Sequence, residues 1–305
     1  MDREYIDTVR LLLDVAPDVF PSGAFAMKGG TALNLFVQDM PRLSVDIDVV
    51  FVDRNRERKD ALVEIESELQ AVKERLVDRG LKVEITATKE GNEAKLLVSG
   101  RDTRVKVEVN HVFRGTVLPV ESRRMGKNAR DLFTTDLTLP ILSVSELYGS
   151  KLVAALDRQH PRDLFDVIGM FQQLGLTPEI VECFVCYLAG HNRPMHEVLF
   201  SRDLNIATQF ESEFEGMTKD QISVDDLVAI RAELRKEMGA ALTGNQKRFL
   251  LSLAQAKPIW NLMDCEHLAE LPAIRWKLQN LEKLRQTNPK KFRLQTDELQ
   301  RGLEL

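Results

Sequence analysis

The sequence predicts an α+β chain in two parts: a mixed helix-and-strand domain over residues 1–140 and an all-helical domain over residues 141–305. Three observations carry this expectation. A chain of 305 residues, 44% of them apolar, is long enough for two hydrophobic cores. Before Pro140 the apolar residues recur with both two-residue and 3.6-residue periods, whereas after Pro140 only the helical period remains.

Taken in order, the first part reads as a helix over 4–15, a strand over 24–28, a helix over 30–38 and a strand over 45–52. A long charged helix near 57–79 follows, then strands near 81–87, 94–99 and 104–110. The helical part opens with Ser143 and Glu146, a hydroxyl cap with an acceptor three residues on, and Thr243 with Gln246 repeats the capping-box pattern. Helices near 225–238 and 272–286 carry the apolar stripes Leu227, Ile230, Leu234 and Ile274, Leu278, Leu281, with Pro272 in a first turn where proline is tolerated.

Composition excludes several classes. No run of about 18 apolar residues is present to span a bilayer, and the opening Asp2, Arg3 and Glu4 do not form a basic-then-apolar leader, so no membrane and a cytoplasmic location are expected. Cys183, Cys186 and Cys265 cannot all pair; Cys183-x-x-Cys186 lacks a second pair and lies in an apolar helical stretch, which favours reduced core thiols over a zinc site. The net charge of −5 speaks against a surface coated for nucleic acid without excluding a local RNA site.

Alternation along Val45-Asp46-Ile47-Asp48-Val49 puts the apolar residues on one face of a strand and both aspartates on the other. Two carboxylates projecting together suit magnesium or manganese, although a solvated strand face carries the same pattern. Upstream, Lys28-Gly29-Gly30-Thr31 stands between an apolar strand and a helix. There glycines admit an anion close to the backbone and the helix start offers free N–H groups; a tight turn is the plainer reading. Valines alternate with Lys106, Glu108 and Asn110 over 104–110, so Glu108 joins the aspartates if the two strands are neighbours, or else marks an ordinary amphipathic strand.

In the helical part Lys151 interrupts the stripe of Val144, Leu147, Tyr148 and Ala155, with Arg158 two turns on. It either snorkels to solvent or reaches toward phosphates. Asp163 and Asp166 follow Pro161 in the first turn of another helix, where capping alone would explain them. Basic stretches at Arg54–Lys59 and Arg123–Lys127 read as solvated surface or as contacts for RNA phosphates.

With these residues in hand, the chain resembles the AbiEii family of nucleotidyltransferase toxins, which includes the MenT-type enzymes of type IV toxin–antitoxin systems, within the DNA polymerase β-like superfamily. The resemblance rests on Lys28-Gly-Gly-Thr-Ala-Leu-Asn-Leu35, Arg42-Leu-Ser-Val-Asp-Ile-Asp48, Lys106-Val-Glu-Val109, and Glu146 through Lys151 to Arg158 followed by Arg162-Asp163-Leu-Phe-Asp166; it covers about residues 20–175. It implies a polymerase β-like nucleotidyltransferase domain with a mixed sheet, and a helical domain closing the nucleotide cleft. By that resemblance Lys28, Gly30, Thr31, Arg42, Ser44, Lys151 and Arg158 bind the nucleotide. Asp46 and Asp48 bind Mg2+ or Mn2+, Lys151 and Asp163 support catalysis, and Asp166 is a companion. Glu108 stands at the superfamily's third carboxylate, and Gly30-Thr31 replaces the common Gly-Ser. The implied reaction transfers a nucleoside monophosphate from a nucleoside triphosphate to RNA, at the 3′ end of tRNA, and blocks translation; the implied partner is an antitoxin with a winged-helix domain. A small-molecule or protein acceptor, or a non-catalytic nucleotide-binding protein of the same fold, is the alternative.

Overall fold

Why the strands assemble as they do follows from the alternation of their side chains. In the computed structural model, which describes residues 1–87 and 93–305, Ile47 and Val49 of one strand stand opposite Val107 and Val109 of another, all four fully buried. Burying this apolar face requires helices on it. The chain supplies α1 (Arg3–Val19), β1 (Phe25–Lys28), α2 (Gly29–Ala32), β2 (Asp46–Phe51), α3 (Arg58–Asp78), β3 (Lys82–Ala87), β4 (Glu93–Ser99), β5 (Arg104–Asn110), β6 (Glu121–Arg124), α4 (Lys127–Phe133) and β7 (Thr138–Ile141). The described strands form one mixed sheet in the order β3-β4-β5-β2-β1-β7-β6; α1 packs on β5 and β2 near its middle, and α3 packs on β3 and β4 toward one edge. Strands β2 and β5 are parallel, as are β1 and β7, while the other neighbours are antiparallel.

The helices continue as α5 (Val144–Asp157), α6 (Pro161–Gln173), α7 (Pro178–Ala189), α8 (Met195–Leu199), α9 (Ala207–Glu213), α10 (Val224–Ala241), α11 (Gly244–Ala254), α12 (Pro272–Thr287) and α13 (Pro289–Leu303). The chain divides into two compact units. One comprises Met1–Leu147 with Glu213–Ile222, the other Tyr148–Ser212 with Ser223–Leu305. The excursion over 213–222 joins the first unit by backbone pairing: Leu43 N–H donates to the Met217 carbonyl at 2.9 Å, and Asp2 N–H to that of Gly216 at 2.9 Å. Cys183 and Cys186 are buried in α7, within the second unit.

Several expectations are corrected. The helix expected over 30–38 is a four-residue α turn followed by a π-helical turn over Leu33–Val37, an irregularity often found beside functional sites. Helix α1 runs on through Pro17 to Val19. Strands β6 and β7 and helix α4 were hidden in the sequence: β6 is short and charged, as edge strands are, and β7 contains Pro140, which normally argues against a strand. The basic stretch from Arg123 runs from the end of β6 to the start of α4, with Arg123 paired to Glu121 at 3.1 Å and Arg124 to Asp136. Ser143 does accept from Glu146 N–H at 3.3 Å, but the Glu146 carboxylate turns away to accept from the N–H groups of Val117 and Leu118 at 2.8 and 3.0 Å. The box at Thr243 and Gln246 is complete, and Ser223 with Asp226 forms another at the start of α10.

Candidate active site

Antiparallel pairing of β1 with β2 brings Lys28 opposite Asp48, and parallel pairing of β2 with β5 brings Asp48 opposite Glu108. Lys95 of β4 stands opposite Glu108 in turn. Lys28, Asp48, Glu108 and Lys95 thus form a row across four strands, two neighbouring acids flanked by two lysines, on the face opposite the buried valines. Asp46 lies on that face two residues along β2. Lys95 Nζ is 3.0 Å from Glu108 Oε1, so Glu108 is engaged by a cation of its own, while Asp46 and Asp48 both stay partly exposed.

The glycine turn is built against these aspartates. Gly29 has φ +74°, in the left-handed region that favours glycine, and a methyl group on it would overlap the Asp48 carboxylate. On Gly30 a methyl group would come within 2.8 Å of Arg42 Nη2 and 2.9 Å of Ser44 Oγ. Only glycine leaves room for these three neighbours. Thr31 is fully buried, with its hydroxyl 2.5 Å from the Asp46 carbonyl oxygen and 3.0 Å from Ser44 Oγ, which ties the helix start to the aspartate strand. Arg42 is buried as well, and Nη1 donates to the Leu43 carbonyl at 2.8 Å. Asn34, which the sequence reading passed over, donates from Nδ2 to the Gly30 carbonyl at 2.9 Å and pins the turn from the following helical turn. Its only signal was a buried amide on an otherwise apolar helix.

Asp46 and Asp48 offer oxygen donors alone, the set that hard divalent cations take. Among the described residues no three His, Cys or carboxylate side chains converge as a metal cage. Two carboxylates nevertheless fit magnesium, which is usually held by one or two protein carboxylates together with substrate phosphates.

The second unit holds the other candidates in a separate cluster. Lys151 on α5 has a side chain 7% exposed, with Nζ 2.8 Å from Asp163 Oδ1 and 3.0 Å from Asp166 Oδ2. These two acids are three residues apart on α6 and so share a helix face. Arg158, whose side chain is 63% exposed, reaches over to Asp163 through Nε and through Nη2 at 3.0 Å. Burial opposes ionisation of Asp163, but Lys151 and Arg158 outweigh it and hold its carboxyl well below the usual range. Capping does not explain the two acids, because His160 caps α6 by accepting from Arg162 N–H at 3.1 Å.

The family model described as nucleotidyl transferase AbiEii toxin, type IV TA system, matches residues 10–280, most of the chain. The chain belongs to the AbiEii nucleotidyltransferase toxin family. This AbiEii chain is accordingly a nucleotidyltransferase, and its family is that of toxins from type IV toxin–antitoxin systems. Its fold is similar to that of MenT4, a nucleotidyltransferase toxin from Mycobacterium tuberculosis, with a TM-score of 0.58 at 20% identity over 92% of this chain and 94% of that one. No curated protein matches in sequence. Among the described residues of this AbiEii protein, no helix is long and apolar enough to cross a membrane.

Proposed function

We propose that this toxin transfers a nucleoside monophosphate from a nucleoside triphosphate to an RNA hydroxyl, at the 3′ end of tRNA, releasing pyrophosphate and so blocking aminoacylation and translation. The observation that supports it most is the packing of the Gly29-Gly30 turn against Asp48, Arg42 and Ser44. An anion received by the turn lies beside two carboxylates that face the same way. The backbone N–H groups of the turn receive the phosphates, favoured by the positive end of the helix that follows. Lys28 and Arg42 add positive charge, Ser44 flanks the nucleotide, and Thr31 keeps the turn and the aspartate strand in register.

Asp46 and Asp48 would hold magnesium or manganese, with Glu108 beside them; when bound, the metal lowers the pKa of the attacking hydroxyl and neutralises the departing pyrophosphate. In this reading Lys151 and Arg158 supply charge to the phosphates, and Asp163 and Asp166 hold the Lys151 ammonium at a fixed point. The toxin acts in the cytoplasm, opposed by an antitoxin with a winged-helix domain.

The test is transfer of label from each α-labelled triphosphate in turn to purified tRNA, to total RNA and to soluble protein and small molecules, with magnesium present. The reading expects one triphosphate to label tRNA. Label confined to protein or small molecules contradicts the acceptor assigned here.

A further inference from the structure

Beyond β5 the chain turns through Asn110, whose side-chain oxygen accepts from the N–H groups of Val112 and Phe113 at 2.8 Å each. It rejoins the sheet where Gly115 N–H donates to the Phe51 carbonyl at 2.8 Å. Arg114 is therefore held at the far end of β2, about 10 Å along the strand from Asp48. It is 3% exposed, and among the described residues its Nε and Nη1 have no hydrogen-bond partner. Buried guanidinium donors left without an acceptor are destabilising, so their presence in a folded core calls for an acceptor. Burial and the nearby Arg58 lower the Arg114 pKa, and Glu57 opposes them, yet a guanidinium stays charged.

Glu57 and Arg58 stand at the start of α3, a helix of 21 residues whose N-terminus no side chain caps. Its first-turn N–H groups are donors at the positive end of the helix dipole. The charges of Glu57 and Arg58 act on the Arg114 guanidinium, so this helix start lies in its neighbourhood. We propose that Arg114 and the uncapped N-terminus of α3 form a phosphate subsite for the sugar–phosphate backbone of the RNA acceptor. The inference rests on the reading of RNA as acceptor.

Position favours RNA over the reacting triphosphate. The glycine turn follows Lys28, opposite Asp48, whereas Arg114 lies beside Phe51 at the other end of the same strand pair. A triphosphate seated on the turn is engaged there; a polynucleotide carries phosphates along the whole length. The basic run from Arg54 to Lys59 leads to the same point, with Arg58 and Lys59 exposed. Among the described residues Glu57 is the acidic side chain whose charge acts on the Arg114 guanidinium.

The experiment compares wild type with R114Q in transfer to tRNA and in direct binding of fluorescent tRNA over a range of salt. The subsite expects KM for tRNA to rise on the order of 5- to 10-fold, KM for the triphosphate to stay unchanged, and the slope of log affinity against log salt to shrink by about one. Unchanged tRNA KM and salt slope overturn it, as does a rise confined to the triphosphate KM. If R114Q fails to fold, R114K, which keeps the charge without the forked donors, is expected to raise the tRNA KM with the salt slope unchanged, and an unchanged tRNA KM in R114K overturns the subsite. Wild-type protein that labels no RNA contradicts the acceptor reading itself. Inorganic phosphate then decides the subsite alone: it expects a rise in melting temperature that is smaller in R114Q, and equal rises in both proteins overturn it.

Discussion

Asp48 and Asp163 are both aspartates at candidate sites, yet one stays partly exposed against a glycine backbone while the other is 1% exposed and clasped by a lysine and an arginine. The first kind of site is made by backbone shape: two glycines admit neighbours that any side chain would push away. The second is made by charge balance, since Lys151 and Arg158 offset Asp163 and Asp166 within one cluster. A partly exposed carboxylate can be reached by a ligand from solvent, whereas a buried one is closed in by its partners. Substitutions in the two regions should therefore separate activity from stability.

The largest expected effect is on the buried cluster. Lys151→Ala leaves two buried carboxylates without their lysine and should cost about 3–5 kcal/mol in urea unfolding; a cost below about 1 kcal/mol would show that the cluster is not charge-balanced as described. The same cluster gives a pH signature. The folded Asp163 carboxyl ionises more readily than the unfolded one, so its contribution is present above the usual aspartate pKa and is lost as the pH falls through and below about 4. The stability gap between wild type and Lys151→Ala, followed by circular dichroism in urea, should thus narrow as the pH falls through about 4.

Asp48→Asn probes the other region. It should lower nucleotide transfer on the order of 10²- to 10³-fold, about 3–4 kcal/mol of barrier, with the urea midpoint nearly unchanged. Smaller again is Gly29→Ala, which forces a left-handed φ on a residue with a side chain and pushes into Asp48; about 1–3 kcal/mol of stability should be lost, with activity. Arg158→Ala sits at the bottom of the scale, because a guanidinium so exposed is screened, and a stability loss below about 1 kcal/mol is expected. A larger loss would move Arg158 into the buried class.

The contrast also explains what the sequence could tell. Strand alternation placed Asp46, Asp48 and Glu108 on one face, and the pairing of β2 with β5 supplied the neighbour relation that alternation alone could not. Glycines at 29 and 30 announced a special backbone, but their closeness to Arg42 and Ser44 depends on a loop and on the 213–222 segment, whose pairing is set by residues nearly 180 positions away. Lys151 was legible as a charge on an apolar stripe, while its two partners read equally well as helix caps until His160 took that role. Arg114 gave no signal in the sequence, because a lone arginine in a turn is ordinary until its burial is known.

The most direct test of the aspartate site is magnesium-dependent transfer of α-labelled nucleotide by wild type, by Asp46→Ala and by Asp48→Ala, with folding of each protein checked by its melting curve. Activity is expected in wild type and none detectable in either variant, with all three melting alike. Transfer at the wild-type rate by a folded Asp48→Ala protein would contradict the assignment of this site.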